Sequence, residues 1–223
     1  MRVAPDAAIG EDTIYRDRVE AGARLAEELE RYRSEHPVVL GIPRGGVPVA
    51  AEVARRLGSE LDVIVARKLG APGHEELALG AVTADGGRFL NADVVRALRV
   101  SDAYLETVTA REMAEAHRRE QRFRGARGPV ELRGKLVILV DDGLATGATM
   151  VAAARALRAR GPRRVVAAVP VGSGQAVAAL AAEVDEVICP RRPEPFVAIG
   201  LHYADFSQVE DAEVLKLLEE HPR

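Results

Sequence analysis

The chain has 223 residues, of which 48% are apolar and 29% charged, and a formal net charge of −3. This length supports one α/β unit with a sizeable core, and the slightly acidic balance argues against bulk electrostatic attraction to nucleic acid. One cysteine, Cys189, excludes an intrachain disulfide and fits a reducing compartment, and no stretch approaches the roughly 18 apolar residues of a membrane span.

Residues 1–13 read as an irregular arm without the apolar centre of a leader peptide, so the expected location is the cytoplasm. A helix is expected from about Asp12 or Thr13 to Glu35, with Val19, Ala23, Leu25, Leu29 and Tyr32 on one face. Val38 to Ile42 is a short buried strand, followed by Pro43-Arg44-Gly45-Gly46. The next helix runs from about Val47 to Leu57, and Pro48 fits its first turn, where a missing N–H costs nothing. Leu61 to Ala66 is a strand ending in Arg67-Lys68, and residues 69–77 have loop composition. Leu79 to Thr83 and Arg88 to Asn91 pair as a hairpin across residues 84–87. Residues 92–128 form a helical insertion broken near Val100, with Ser101 as the cap of its second piece. Its arginines Arg118, Arg119, Arg122, Arg124 and Arg127 are expected to coat an exposed face.

Leu136 to Val140 is a continuous apolar run, as in a strand buried on both faces of a parallel sheet. Asp141 and Asp142 end it, a loop of small residues follows, and helical pattern resumes from Met150 to about Arg160. Val165 to Val171 and Glu186 to Cys189 are further strands, Gln175 to Glu183 is a helix, and Cys189 is expected in the core. Phe196 to Tyr203 reads as a strand or extended arm, and Gln208 to Glu220 as a last amphipathic helix with Val214, Leu217 and Leu218 on one face. The βαβ alternation from 38 to 189 gives the fold class: α/β, a mostly parallel central sheet flanked by helices. Ligands bind beyond the carboxyl ends of such strands. Four segments leave those ends on one rim: Pro43–Gly46, Arg67–Glu76, Asp141–Thr149 and Val171–Gly174.

The rim contents point to a ligand with both sugar hydroxyls and phosphate. Backbone N–H groups at a helix N-terminus attract phosphate oxygens, and small residues allow close approach. Carboxylates cannot donate to phosphate, so Asp141 and Asp142 suit a ribose diol or a metal-bound water. Gly45 and Gly46 permit a tight anion-binding turn, and the Arg44 guanidinium and the Arg67 and Lys68 cations suit a polyanion. No lysine follows Gly147, which departs from the nucleoside-triphosphate loop pattern.

The stretch VILVDDGLATGAT resembles the signature of type I phosphoribosyltransferases: apolar residues, two acids, then a Thr-Gly-x-Thr loop. The resemblance implies a domain spanning 1–223, with its core at about 38–189 and a small hood at about 190–223 joined by the N-terminal arm. It implies that Asp141 and Asp142 hold the 2′- and 3′-hydroxyls of phosphoribosyl pyrophosphate (PRPP). Gly143, Leu144, Ala145, Thr146, Gly147, Ala148 and Thr149 would cradle the 5′-phosphate. Pro43, Arg44, Gly45 and Gly46, with Arg67 and Lys68, would bind pyrophosphate, Pro43–Gly46 as a loop often carrying a cis peptide. Residues 69–83 would be a loop closing over the donor. Asp141, Asp142, Arg44 and Lys68 would form the catalytic set. Mg²⁺ is the implied cofactor, carried mainly by PRPP oxygens with no dedicated protein ligand set.

The implied reaction is displacement of pyrophosphate from PRPP by a nitrogen nucleophile, a nucleobase or related amine. Relatives acting on 6-oxopurines carry an aspartate where this chain has Ala145, which weighs against such acceptors. The aromatic residues Phe196, Tyr203 and Phe206 suit either stacking on a base or packing of the C-terminal arm. The expected partners are PRPP and a small-molecule acceptor, with no nucleic acid and no membrane, and a homodimer is left open. The alternative is a regulatory module that binds PRPP or a nucleotide without turnover.

Overall fold

A computed structural model describes residues 2–3 and 14–221, apart from the side chains of residues 2, 3, 75 and 76. The expected helix start at Asp12 or Thr13 and the carboxylates of Glu75 and Glu76 therefore lie outside the described residues. In chain order the first elements are strand β1 (Arg2–Val3), helix α1 (Arg18–Leu29) with a 3₁₀ continuation over Glu30–Glu35, β2 (Val38–Gly41), α2 (Gly46–Leu57) and β3 (Glu60–Val63). Then come β4 (Ala66–Ala71), β5 (His74–Thr83), β6 (Arg88–Leu90), α3 (Ala92–Ala97) and α4 (Asp102–Arg124). The chain continues through β7 (Leu136–Val140), α5 (Ala148–Ala159), β8 (Arg164–Ala168), α6 (Gly174–Ala181), β9 (Glu186–Ile188) and α7 (Asp211–Glu220).

Six strands form a parallel sheet in the order β1-β9-β8-β7-β2-β3. The period-2 alternation of strand side chains splits the core in two. Val39, Ile138 and Val140 face α1, α2 and α7, whereas Val38, Leu40, Val137 and Leu139 face α5 and α6. From β2 the chain crosses outward to β3, while from β7 it crosses the other way to β8. The connections thus diverge between β2 and β7, which pair in register from Val38↔Val137 to Gly41↔Val140. In doubly wound sheets that divergence opens a crevice above the strand ends.

Several expectations need correction. Residues 66–83 are no strand end and loop. They form an antiparallel hairpin, β4 on β5, extended by β6 into a separate three-stranded sheet. The strand expected over Leu61 to Ala66 stops at Val63, and Arg67 and Lys68 lie within β4. Alternating small and charged residues here do not spell a buried run, so composition hides the strand. Both faces of the small sheet are covered: Leu69, Leu79 and Val82 pack against Leu105 and Val108 of α4, and Ala81 packs against Ala148 and Ala152 of α5. The β5–β6 hairpin itself agrees with the sequence reading.

The first helix begins at Arg18, because the Asp17 side chain accepts from the Glu20 N–H at 2.8 Å and caps it. The insertion divides into α3 and α4 with Ser101 capping the second, as expected. Its arginines are not all solvated. Arg124 is largely buried and donates from Nε to both oxygens of buried Asp62 on β3, at 3.0 and 3.1 Å. It also reaches Glu120 at 2.6 Å and the Val63 carbonyl at 2.7 Å, while the Val65 N–H donates to Glu120. Burial pushes the Glu120 carboxyl up, against the pull of Arg124. Of the two forms expected for Phe196–Tyr203, the strand is not formed: the segment is an arm that enters a 3₁₀ turn at Ile199–His202. No described helix is long and apolar enough to cross a membrane.

Candidate active site

The in-register ends of β2 and β7 set two loops side by side. After Gly41, the Ile42 N–H donates to the Val140 carbonyl at 2.9 Å, and the chain turns at once into α2, with the Gly46 N–H on the Ile42 carbonyl at 3.0 Å. The Pro43–Arg44 peptide is cis. The two glycines are steric requirements of the pairing. A Cβ on Gly46 would lie 2.8 Å from the Asp141 Cα and 2.9 Å from the Val140 carbonyl, and one on Gly45 would lie 2.0 Å from Asp142 Oδ2. The Pro43–Gly46 turn therefore rests directly against the acid pair.

Asp141 is partly exposed and Asp142 buried. The Asp141 Oδ1 accepts from the Asp142 N–H at 2.9 Å. Removal from water, with the neighbouring Asp142 charge, pushes Asp141 well above the usual carboxylate range. Burial also raises Asp142, opposed by the Arg18 guanidinium, whose Nε donates to Asp142 Oδ2 at 2.8 Å. Sequence reasoning missed Arg18. The helix that carries it is legible, but its partner lies 124 positions away and nothing local marks the contact.

Arg18 also ties the acid pair to the C-terminal segment. Its Nη1 donates to the Ser207 carbonyl at 2.8 Å, and its guanidinium carbon lies 4.0 Å from the centre of the Phe206 ring. Tyr203 donates its hydroxyl to the Asp142 carbonyl at 2.6 Å and packs on Tyr15, ring centres 5.6 Å apart. Ile199 fills the space beside Gly143, where a Cβ would approach it to 2.5 Å. Of the three aromatics, Tyr203 is buried in packing, whereas Phe206 keeps 36% of its surface exposed beside Arg18.

The loop from Gly143 to Thr149 is anchored at Leu144 and Ala145. The Leu144 N–H donates to the Val171 carbonyl, the Ser173 N–H to the Leu144 carbonyl, and Ser173 Oγ to the Ala145 carbonyl. Ala145 and Thr146 are exposed, Thr149 is half-buried, and Gly147 takes a left-handed φ of 79° just before α5. Leu144, Gly147 and Ala148 are buried supports of the turn. The first-turn N–H groups of α5 and two threonine hydroxyls thus belong to one anion-attracting end.

Arg67 and Lys68 come to this rim by a different route than expected. A cleft of about 370 Å³ brings them together with Pro43, Thr149, and Arg111, Glu112 and Arg119 of α4. Arg44 is not among its walls. Its guanidinium lies 3.7 Å from Glu210 and from Asp211, at the start of α7. The α4 side chains were not singled out for a site, although Arg111, Glu115 and Arg119 recur every four residues and so share a face.

Comparison with known proteins gives the family and the fold. The phosphoribosyl transferase domain model matches residues 11–204, and the chain belongs to that family. Two curated Mycobacterium tuberculosis relatives, both named provisionally as phosphoribosyl transferases, are 46% identical over 206 residues, 92% of this chain. The chain spans 46% of their length. The crystal structure of TT1426 from Thermus thermophilus is 48% identical with a TM-score of 0.80, over 94% of this chain and 99% of that one. AQ2163 from Aquifex aeolicus shares the fold, with a TM-score of 0.55 at 13% identity over 89% of this chain and 91% of that one.

Proposed function

We propose that this chain transfers the phosphoribosyl group of PRPP to a nitrogen nucleophile, a nucleobase or related amine, releasing pyrophosphate. The observation that carries the reading is the contact of the acid pair with the Pro43–Gly46 turn, beside a cationic cleft. A diol grip, an anion-binding turn and a polyanion site then adjoin one another, as the two ends of PRPP require.

In this reading Asp141 accepts hydrogen bonds from the ribose hydroxyls, with Asp142 beside it. The loop from Gly143 to Thr149 takes the 5′-phosphate at the N-terminus of α5. Arg67 and Lys68 balance the charge that builds on the leaving pyrophosphate as the C1–O bond breaks and its electron pair departs with the oxygen. The carboxylates place negative charge near the cationic sugar centre before the C1–N bond closes. In this reading Mg²⁺ is the cofactor. That ion would be carried mainly on PRPP oxygens, with no dedicated protein ligand set, and when bound would neutralise diphosphate charge. Arg44, within reach of Glu210 and Asp211, would need to leave them to touch the leaving group. The hood of residues 190–223 would present the acceptor, with Phe206 its exposed ring beside the acid pair.

The test is a melting curve with PRPP and Mg²⁺, followed by a screen of nucleobases and small amines for pyrophosphate release. A rise in Tm at saturating PRPP is expected, since a ligand bound only to the folded state stabilises it. No shift would falsify the donor assignment. By calorimetry, Asp142→Asn is expected to weaken PRPP more than Asn91→Ala, a cap on the far side of the hairpin.

A further inference from the structure

The cleft between β4 and α4 holds more positive charge than Arg67 and Lys68 supply. Its walls carry four cations, Arg67, Lys68, Arg111 and Arg119, and one carboxylate, Glu112. That balance, in a chain of net charge −3, suits a polyanion. Lys68 is exposed in the cleft and forms no ion pair among the described residues. Arg119 has Glu115 at 3.3 Å and otherwise faces the opening.

Glu112 is the unusual member, because a carboxylate repels phosphate. It is only 7% exposed, and two arginines clamp it. Arg67 approaches Glu112 Oε2 from Nε at 3.0 Å and from Nη2 at 2.9 Å, and Arg111 Nε donates to Oε1 at 3.0 Å. Each oxygen is thus spent on one guanidinium, and both arginines, which line the cleft, keep further N–H donors.

We propose that α4 forms the second wall of the diphosphate site. Arg111 and Arg119 bind its oxygens together with Lys68, and Glu112 is a positioning residue that aims Arg67 and Arg111. The insertion thereby supplies the guanidinium contacts that Arg44, turned toward α7, does not make here. This rests on the transferase reading, because the diphosphate is the donor's leaving group.

The test is calorimetry on the full chain with two probes, inorganic pyrophosphate with Mg²⁺ and ribose 5-phosphate. Arg111 and Arg119 are 61% and 38% exposed as side chains, and Glu112 keeps Arg67 when Arg111 is replaced, so Arg111→Gln and Arg119→Gln are expected to fold. Each is expected to weaken pyrophosphate by about tenfold, the scale of a lost charge-assisted pair, with a far smaller effect on ribose 5-phosphate. Arg96→Gln, on the exposed face of α3, is the control. Glu112→Gln separates positioning from bulk charge. Removing a negative charge alone would tighten pyrophosphate binding, whereas loss of the clamp weakens it. Wild-type-like pyrophosphate affinity in both arginine variants, or tighter binding by Glu112→Gln, overturns the proposal and leaves the transferase reading intact. A wild-type chain that binds neither probe overturns both.

Discussion

Arg18, in the first turn of α1, donates to Asp142 across 2.8 Å, and both side chains are almost out of solvent. One carboxylate of the acid pair is therefore already balanced by the protein, whereas Asp141 makes no ion pair among the described residues. Removing one partner of a buried pair strands the other. Arg18→Met is expected to cost about 3 kcal/mol of stability. The double variant with Asp142→Asn should recover part of that loss, read as a coupling in urea denaturation of all four proteins.

Asp141 should make the folded chain less stable as pH rises. Its pKa is raised on folding, so between the ordinary carboxylate value and the raised one the folded state binds the extra proton. Stability is retained below the ordinary value and falls as pH climbs through this window. Asp141→Asn keeps an oxygen to accept the Asp142 N–H and removes the charge. It is expected to melt higher than the wild type at pH 7, with the gap closing toward pH 4, and to lose PRPP binding. A Tm difference that does not change with pH would show that the charge is not the cause.

Gly46 sits where a methyl group meets backbone on two sides, neither of which can rotate away. Gly46→Ala is expected to destabilise by about 1–3 kcal/mol through overpacking and to open the Pro43–Gly46 turn away from Asp141. Gly174→Ala, with open space around the added carbon, serves as the comparison. Equal chemical-denaturation midpoints for the two variants would contradict the steric argument.

Tyr203 supplies the hydroxyl that satisfies the Asp142 carbonyl. Tyr203→Phe keeps the packing on Tyr15 and leaves that carbonyl without its donor, at an expected cost of about 1–2 kcal/mol. Because the carbonyl belongs to the acid pair's own backbone, PRPP affinity should fall with it. A variant with unchanged Tm and affinity would remove Tyr203 from this role.

The parallel sheet and the acid loop were legible in the sequence because their causes are local. An apolar run such as Leu136–Val140 buries itself on both faces, and small residues between a strand and a helix have few uses. The β4–β5 hairpin was hidden for the opposite reason. It draws its burial from α4 and α5, elements tens of residues downstream, so its own pattern looks like a loop. Arg18, Arg111 and Arg119 were hidden in the same way, since an arginine on a helix reads as solvated until the fold supplies its partner. The Arg44 and Arg67 guanidiniums show the limit from the other side. Spacing put both on the rim, yet orientation toward α7 or toward Glu112 depends on contacts that spacing does not encode.

The Asp62–Arg124 pair links the insertion to the sheet in a way that constrains how such a chain can change over generations. Asp62 is 1% exposed on edge strand β3, and its charge is balanced from α4. A lineage that deleted residues 92–128 while keeping Asp62 would lose this ion pair and leave the carboxylate to its backbone donors, the Val63 and Val130 N–H groups among them. One that replaced Asp62 first would leave Arg124 to Glu120 and the Val63 carbonyl. The two losses are therefore epistatic: the cost of either depends on whether the other has already occurred. For an engineer seeking a minimal version, the same reasoning means choosing the residue at position 62 together with the excision, because the two costs do not simply add.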